Sequence, residues 1–217
     1  YVLNSLYKGV CCMIAEQIMH KEVFTLRPHN TVRDALSLML EKNIRHIPIT
    51  TEDMLLVGIV SQFHVRSFCD DEPNLADVTP LSDIMVKEPI TAHSLDFVED
   101  IALIMYESKI SCLPVVSAGT LVGIITTTDL LHSYMVLTGA TIPGSKFDIR
   151  VENRPGLVYE ITDVFKAQKA NVISVLVFPD QELENHSIVS VRVRVLNPMS
   201  LIKALREQNF DVLWPNM

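Results

Sequence analysis

Apolar residues at Val32, Ala35, Leu36, Met39 and Leu40 follow the i, i+3, i+4, i+7, i+8 rhythm of one helix face. The rhythm returns at Val98, Ile101, Ala102 and Met105, each 66 residues after its counterpart. After each helix comes a short apolar strand, Ile47-Pro48-Ile49 and then Leu113-Pro114-Val115-Val116. Proline has no N–H, which puts its strand at a sheet edge or starts the strand at that residue. A turn leads into a second apolar run, residues 56–60 in one copy and 121–125 in the other. Ser61 or Thr126, both good N-cap residues, then opens a closing helix. Each unit reads helix, strand, strand, helix.

The likeness extends beyond the helices. Ile18-Met19 returns as Ile84-Met85, Ile44 as Ile110 and Pro48 as Pro114, 66 residues on; Gly58 returns as Gly123 and Ser61 as Thr126, 65 on. A fixed period marks one supersecondary unit used twice. A unit of about 60 residues buries too little apolar surface to stand comfortably alone, so the copies are expected to pack together. Asp70-Asp71-Glu72-Pro73-Asn74 reads as the connection between them, and residues 138–145 as a second boundary.

Beyond that boundary the pattern changes. Phe147-Asp148-Ile149-Arg150-Val151 alternates as a half-buried strand, and Arg154-Pro155-Gly156 is a turn. Leu157, Ile161, Val164 and Phe165 mark an amphipathic helix. Strands follow over residues 172–178 and 187–195, then a helix through Leu201, Ile202 and Leu205, then a last strand over 211–214. The order is βαββαβ, the ferredoxin-like split unit. The fold class is therefore α/β in the broad sense (α+β).

Composition narrows the function. The 217 residues carry a net charge of −8, with 48% hydrophobic and 20% charged residues. Such a chain builds real cores, and its acidity disfavours nucleic acid. No apolar run is long enough for a membrane-spanning helix. The four cysteines form no C-x-x-C pair, which favours a reducing cytoplasm over a disulfide framework. Cys112, inside an apolar run, reads as a buried structural thiol. Residues 1–12 read either as an extension upstream of Met13 or as an ordinary first element.

No catalytic constellation stands out. The seven histidines are scattered without an H-x-x-x-H, and neither G-x-S-x-G nor a phosphate-binding Walker loop is present. Glu99 and Asp100 are adjacent on a helix and point apart, so they are no dyad.

The sharpest local motif is Gly123-Ile-Ile-Thr126-Thr-Thr-Asp129. Glycine permits close approach, and free N–H groups at the helix start favour an anion. The Asp129 carboxylate can accept two hydrogen bonds, which suits a ribose diol. The same spacing also suits a capping box in which Asp129 only satisfies the backbone. In the first copy His64 stands where Asp is expected, which predicts one competent ribose site per chain. Arg45 and His46 precede their strand at a place where a guanidinium fork could reach phosphate, or could simply be solvated.

These residues resemble the CBS-domain family. The helix face, the Pro-bearing strand and the G-h-h-[ST]-x-x-[DN] ending, with h apolar, carry the resemblance. It implies a paired module with adenosine-nucleotide sites in its clefts, the ligand being AMP, ADP, ATP or S-adenosylmethionine. Carried over, Thr126 meets phosphate or caps the helix and Asp129 takes the ribose. Ile90, Thr91, Ala92, Cys112 and Leu113 would line the adenine pocket beside Gly123, with Arg45 and His46 across the cleft.

The last domain resembles the ACT family through Asn153-Arg154-Pro155-Gly156. That resemblance implies a loop holding an amino-acid ligand between two such domains, or a dimerisation module without one. Asn153 replaces the family's Asp and removes a charge. The whole order, covering residues 13–217, resembles proteins of acetoin utilization. It implies a non-enzymatic, cytoplasmic homodimer regulating a partner enzyme of unknown identity. The expected domains are 13–70, 79–137 and 146–217, with 138–145 as a linker.

Overall fold

The computed structural model describes residues 13–215, so the reading of residues 1–12 and of Cys11 and Cys12 lies outside the described residues. The chain forms two compact units, one ending at Leu131 and the next starting at His132.

In the first unit, α1 (Ala15–Ile18) precedes α2 (Val32–Lys42), β1 (His46–Thr50), β2 (Leu56–Ser61) and α3 (Gln62–Asp71). A 3-10 turn (Leu81–Asp83) leads to β3 (Val86–Lys87), β4 (Ala92–His93), α4 (Val98–Glu107), β5 (Cys112–Ser117), β6 (Thr120–Thr126) and the start of α5 (Thr127–Leu137), whose residues from His132 on belong to the second unit. The strands form two three-stranded sheets, β1-β2-β3 and β4-β5-β6.

Sequence explains the starts and stops. Thr31 Oγ1 accepts the Asp34 N–H at 3.2 Å while Asp34 Oδ2 accepts the Thr31 N–H at 2.9 Å. This reciprocal pair opens α2. Asn43, at φ 52°, closes it in the left-handed region. The buried face is narrower than the periodicity predicts. Val32, Ala35 and Met39 are buried, but Leu40 is 63% exposed.

Pro48 meets the expectation, since β1 is an edge strand of its sheet, whereas Pro114 departs from it. Pro48 pairs with Ile59 in the middle of β1, and its carbonyl accepts the Leu26 N–H at 3.3 Å. Pro114 lies within β5, which is the central strand of its sheet. It is tolerated because β4 reaches β5 only at Val115 and Val116. The missing N–H therefore faces no neighbour that needs it.

The two copies exchange their opening segments. Ala15, Ile18 and Met19 pack into the second copy's core with Ile101, Met105, Leu113 and Ile125. Leu81, Ile84 and Met85 pack into the first copy's core with Val32, Met39, Ile47 and Val60. Backbone bonds secure both crossings: His20 N–H donates to the Ile124 carbonyl at 2.9 Å, and Leu81 N–H to that of Asn30 at 2.8 Å. Gly58 and Gly123 make room for this. A Cβ on Gly58 would lie 2.6 Å from Met85 Sδ, and one on Gly123 would collide with Met19 Sδ.

The second unit runs β7 (Ser145–Glu152), α6 (Leu157–Ala167), β8 (Val172–Pro179), β9 (His186–Val193), α7 (Met199–Glu207) and β10 (Asp211–Trp214). Its sheet order is β10-β7-β9-β8, with every pair antiparallel. This is the βαββαβ order read from the sequence. Phe147, Ile149 and Val151 of β7 pack under Leu157, Ile161 and Phe165 of α6 and Leu201 and Leu205 of α7. The Phe147 and Phe165 rings meet edge-on at 5.4 Å. The segment expected to be a linker is tied to this unit. The Thr138 carbonyl accepts from Ser174 Oγ at 2.8 Å and Arg192 Nε at 3.1 Å.

Candidate functional site

The segment exchange builds two cavities in the first unit. One, of about 290 Å³, lies between His20, Val23 and Phe24, the run Asn43-Ile44-Arg45-His46, and Ile124 and Thr126. The other, of about 370 Å³, lies between Val86, Pro89 and Ile90, the run Lys109-Ile110-Ser111-Cys112, and Ile59 and Ser61. The repeat maps one onto the other. His20 corresponds to Val86, Phe24 to Ile90, Arg45 to Ser111, His46 to Cys112 and Thr126 to Ser61.

Thr126 lines the first cavity, and Asp129 is bonded to it. Asp129 Oδ2 accepts from the Thr126 N–H at 2.8 Å and the Thr126 hydroxyl at 2.7 Å. The capping role weighed from sequence is therefore real. The other oxygen, Oδ1, is 2.9 Å from His20 Nε2. Arg45, His46 and Glu22 line the same cavity as Thr126, so one guanidinium and one carboxylate both border it. His46 also reaches the second cavity, where Nε2 lies 3.1 Å from Ser111 Oγ. Burial first, then the charges of Arg45 and His64, lowers the His46 pKa from its ordinary value.

The residues expected to form one pocket separate. Ile90 and Cys112 line the Ser61 cavity, away from Phe24 and His20. Ala92 and Leu113 are buried in the second copy's core. Thr91 is half-buried beside Ala92. The space next to Gly123 is filled by Met19, so this glycine serves packing between exchanged segments. The Cys112 thiol is pushed up to about 12, by burial and then by the Asp129 charge, and stays protonated as a structural thiol. His20, Val23 and Phe24 were missed, because only the crossover brings them to Thr126.

In the second unit, Asn153 N–H donates to the Asn185 carbonyl at 2.8 Å, and Gly156 caps α6 at φ 85° after Pro155. Arg154 is engaged within its own unit, donating to both oxygens of Glu160 at 2.6 and 2.5 Å. A cavity of about 480 Å³ borders this pair, with Arg150 and His186 on its walls. Among the described residues no group of His, Cys, Asp and Glu could hold a metal ion. No helix among them is long and apolar enough to cross a membrane.

Comparison with known proteins agrees with the repeat. A protein named for acetoin utilization, AcuB of Vibrio cholerae, superposes with a TM-score of 0.55 at 33% identity, over 60% of this chain and 96% of its own. CBSX2 solved with AMP superposes with a TM-score of 0.51 at 27% identity, over 56% of this chain and 96% of its own. Homoserine O-acetyltransferase of Methanococcus vannielii is 36% identical over 124 residues, 57% of this chain. The chain spans 25% of that relative's length. The CBS domain family model matches residues 15–71 and 81–136. With both halves of the repeat matched, over more than half of its residues, the chain belongs to the CBS-domain family.

Proposed function

We propose that this chain is a non-catalytic regulatory protein that senses an adenosine nucleotide in the cavity between Arg45 and Thr126. The observation that carries this reading is that Thr126, Arg45 and His46 line one cleft of about 290 Å³, with Asp129 bonded to two of its lining residues, Thr126 and His20. That volume is at the small end of the range for ligand sites, about 300–1,000 Å³. Asp129 Oδ1 keeps the acceptor capacity a ribose hydroxyl needs once His20 moves aside. The helix start and the Arg45 fork together suit phosphate. The AMP bound to CBSX2, a structural relative, supports an adenosine ligand. Candidates are AMP, ADP, ATP and S-adenosylmethionine. A melting-shift panel of these tests the reading: a shift for at least one supports it, and none refutes it.

A second reading is a ligand-free assembly module for a partner enzyme. It draws on the capping bond of Asp129 Oδ2 and on Phe63 and Tyr106, which are 76% and 72% exposed. A homodimer would cover such side chains. Light scattering at micromolar concentration decides between dimer and monomer. The βαββαβ order of the second unit supports its reading as an ACT domain that takes an amino acid at a dimer interface. The Arg154–Glu160 pair must open, or serve as a wall, for that to happen. The likeness to the Vibrio cholerae protein supports a place in acetoin catabolism. The free thiols of Cys69 and Cys112 suit a cytoplasmic location.

A further inference from the structure

Asp129 uses both of its oxygens inside the protein. Oδ2 accepts from the Thr126 N–H at 2.8 Å and the Thr126 hydroxyl at 2.7 Å, while Oδ1 accepts from His20 Nε2 at 2.9 Å. A ribose hydroxyl that binds this carboxylate must displace one set. The helix start supplies two donors, whereas His20 supplies one, from a ring that is 62% exposed. His20 is the cheaper contact to give up.

The backbone delivers that ring. His20 N–H donates to the Ile124 carbonyl at 2.9 Å, and Ile124 N–H to the His20 carbonyl at 3.0 Å, two residues before Thr126. The other half of the repeat lacks both partners: Val86 stands for His20 and His64 for Asp129. The contact also depends on a proton. A protonated imidazole gives a charge-assisted bond, roughly twice as strong as a neutral one. Proton and ribose therefore oppose each other, and the opposition is reciprocal: a ligand that displaces His20 favours its deprotonated form.

We infer that His20 is a proton-operated latch on Asp129, closed against a ribose hydroxyl in acid and opened as pH rises. This rests on the reading of the cavity of about 290 Å³ as an adenosine site. Other groups surround the latch. Glu22, Arg45 and His46 line the cavity, Lys21 is held 3.1 Å from Glu16, and His132 follows Asp129 by three residues on α5. Cys112, which feels the Asp129 charge, stays protonated throughout. A protonated His46 would favour a phosphate in acid, the opposite sign, so the decisive ligand carries none.

The test titrates adenosine into the full chain by calorimetry at about pH 5.5, 6.5 and 8, across the range in which imidazoles change charge, in buffers of different ionisation enthalpy. Wild type is expected to bind at least about threefold tighter at the alkaline end than at the acid end, and to release protons on binding between them. His20→Gln keeps a neutral donor that cannot change charge. Its affinity is expected to stay flat over the same range, with the proton release gone. Flat affinity in wild type, or a slope that persists in His20→Gln, overturns the latch and leaves the nucleotide reading standing. No heat from adenosine or AMP at any of these pH values removes both.

Discussion

His20 Nε2 lies 2.9 Å from Asp129 Oδ1, so the one carboxylate oxygen not used for capping is already occupied. His20 comes from the first copy's opening segment and Asp129 from the second copy's closing helix. A ribose hydroxyl approaching Asp129 competes directly with this imidazole. Removing the competitor should help the ligand. His20→Ala is expected to tighten nucleotide binding by about threefold, the value of one modest hydrogen bond. Calorimetry on the variant measures it; weaker binding would mean that His20 is a ligand contact and no plug.

The exchanged segments make a second prediction. Met19 covers Gly123 and Met85 covers Gly58, each filling the place of a Cβ. Gly123→Ala is expected to destabilise the fold by about 1–3 kcal/mol through overpacking. Shortening the partner should relieve part of that cost, because the obstructing atoms belong to the end of a flexible side chain. A double-mutant cycle of Gly123→Ala with Met19→Ala by denaturant unfolding reads the coupling. Strictly additive effects would show that Met19 does not pack there.

That same pair explains what the sequence could and could not reveal. The duplicated helix faces and strands were legible, since Val32, Ala35 and Met39 recur as Val98, Ile101 and Met105 and are buried in both places. The exchange was not legible. Met19 and Met85 are the same residue type in equivalent places, so swapping them leaves the hydrophobic pattern unchanged. The cavity assignment failed with it: Ile90 and Cys112 were placed beside Thr126, where the structure puts Phe24 and His46. Leu40 fits the helical period yet stays exposed, because periodicity fixes a face but not its width.

His46 gives a pH prediction. Burial first, then the neighbouring Arg45 and His64, lowers its folded pKa below the ordinary value, about 6.5. The folded state therefore binds fewer protons than the unfolded chain around that pH. Stability from this source is present above about 6.5 and is lost as pH falls through that value toward the folded pKa. Melting temperature should decline over that window, and His46→Gln should flatten the decline. An identical decline in the variant would assign the effect to other groups.

The account turns on Asp129 as the ribose acceptor. The most direct measurement is calorimetric titration of AMP into wild type, Asp129→Ala and His64→Ala. Asp129→Ala is expected to weaken AMP by at least about tenfold, beyond a helix-cap cost of about 1 kcal/mol in stability. His64→Ala is expected to leave AMP affinity within about twofold, since that side chain lies in the other cavity. Wild-type heat that vanishes in Asp129→Ala and persists in His64→Ala would support the reading. No heat in wild type, or a greater loss in His64→Ala than in Asp129→Ala, would contradict it.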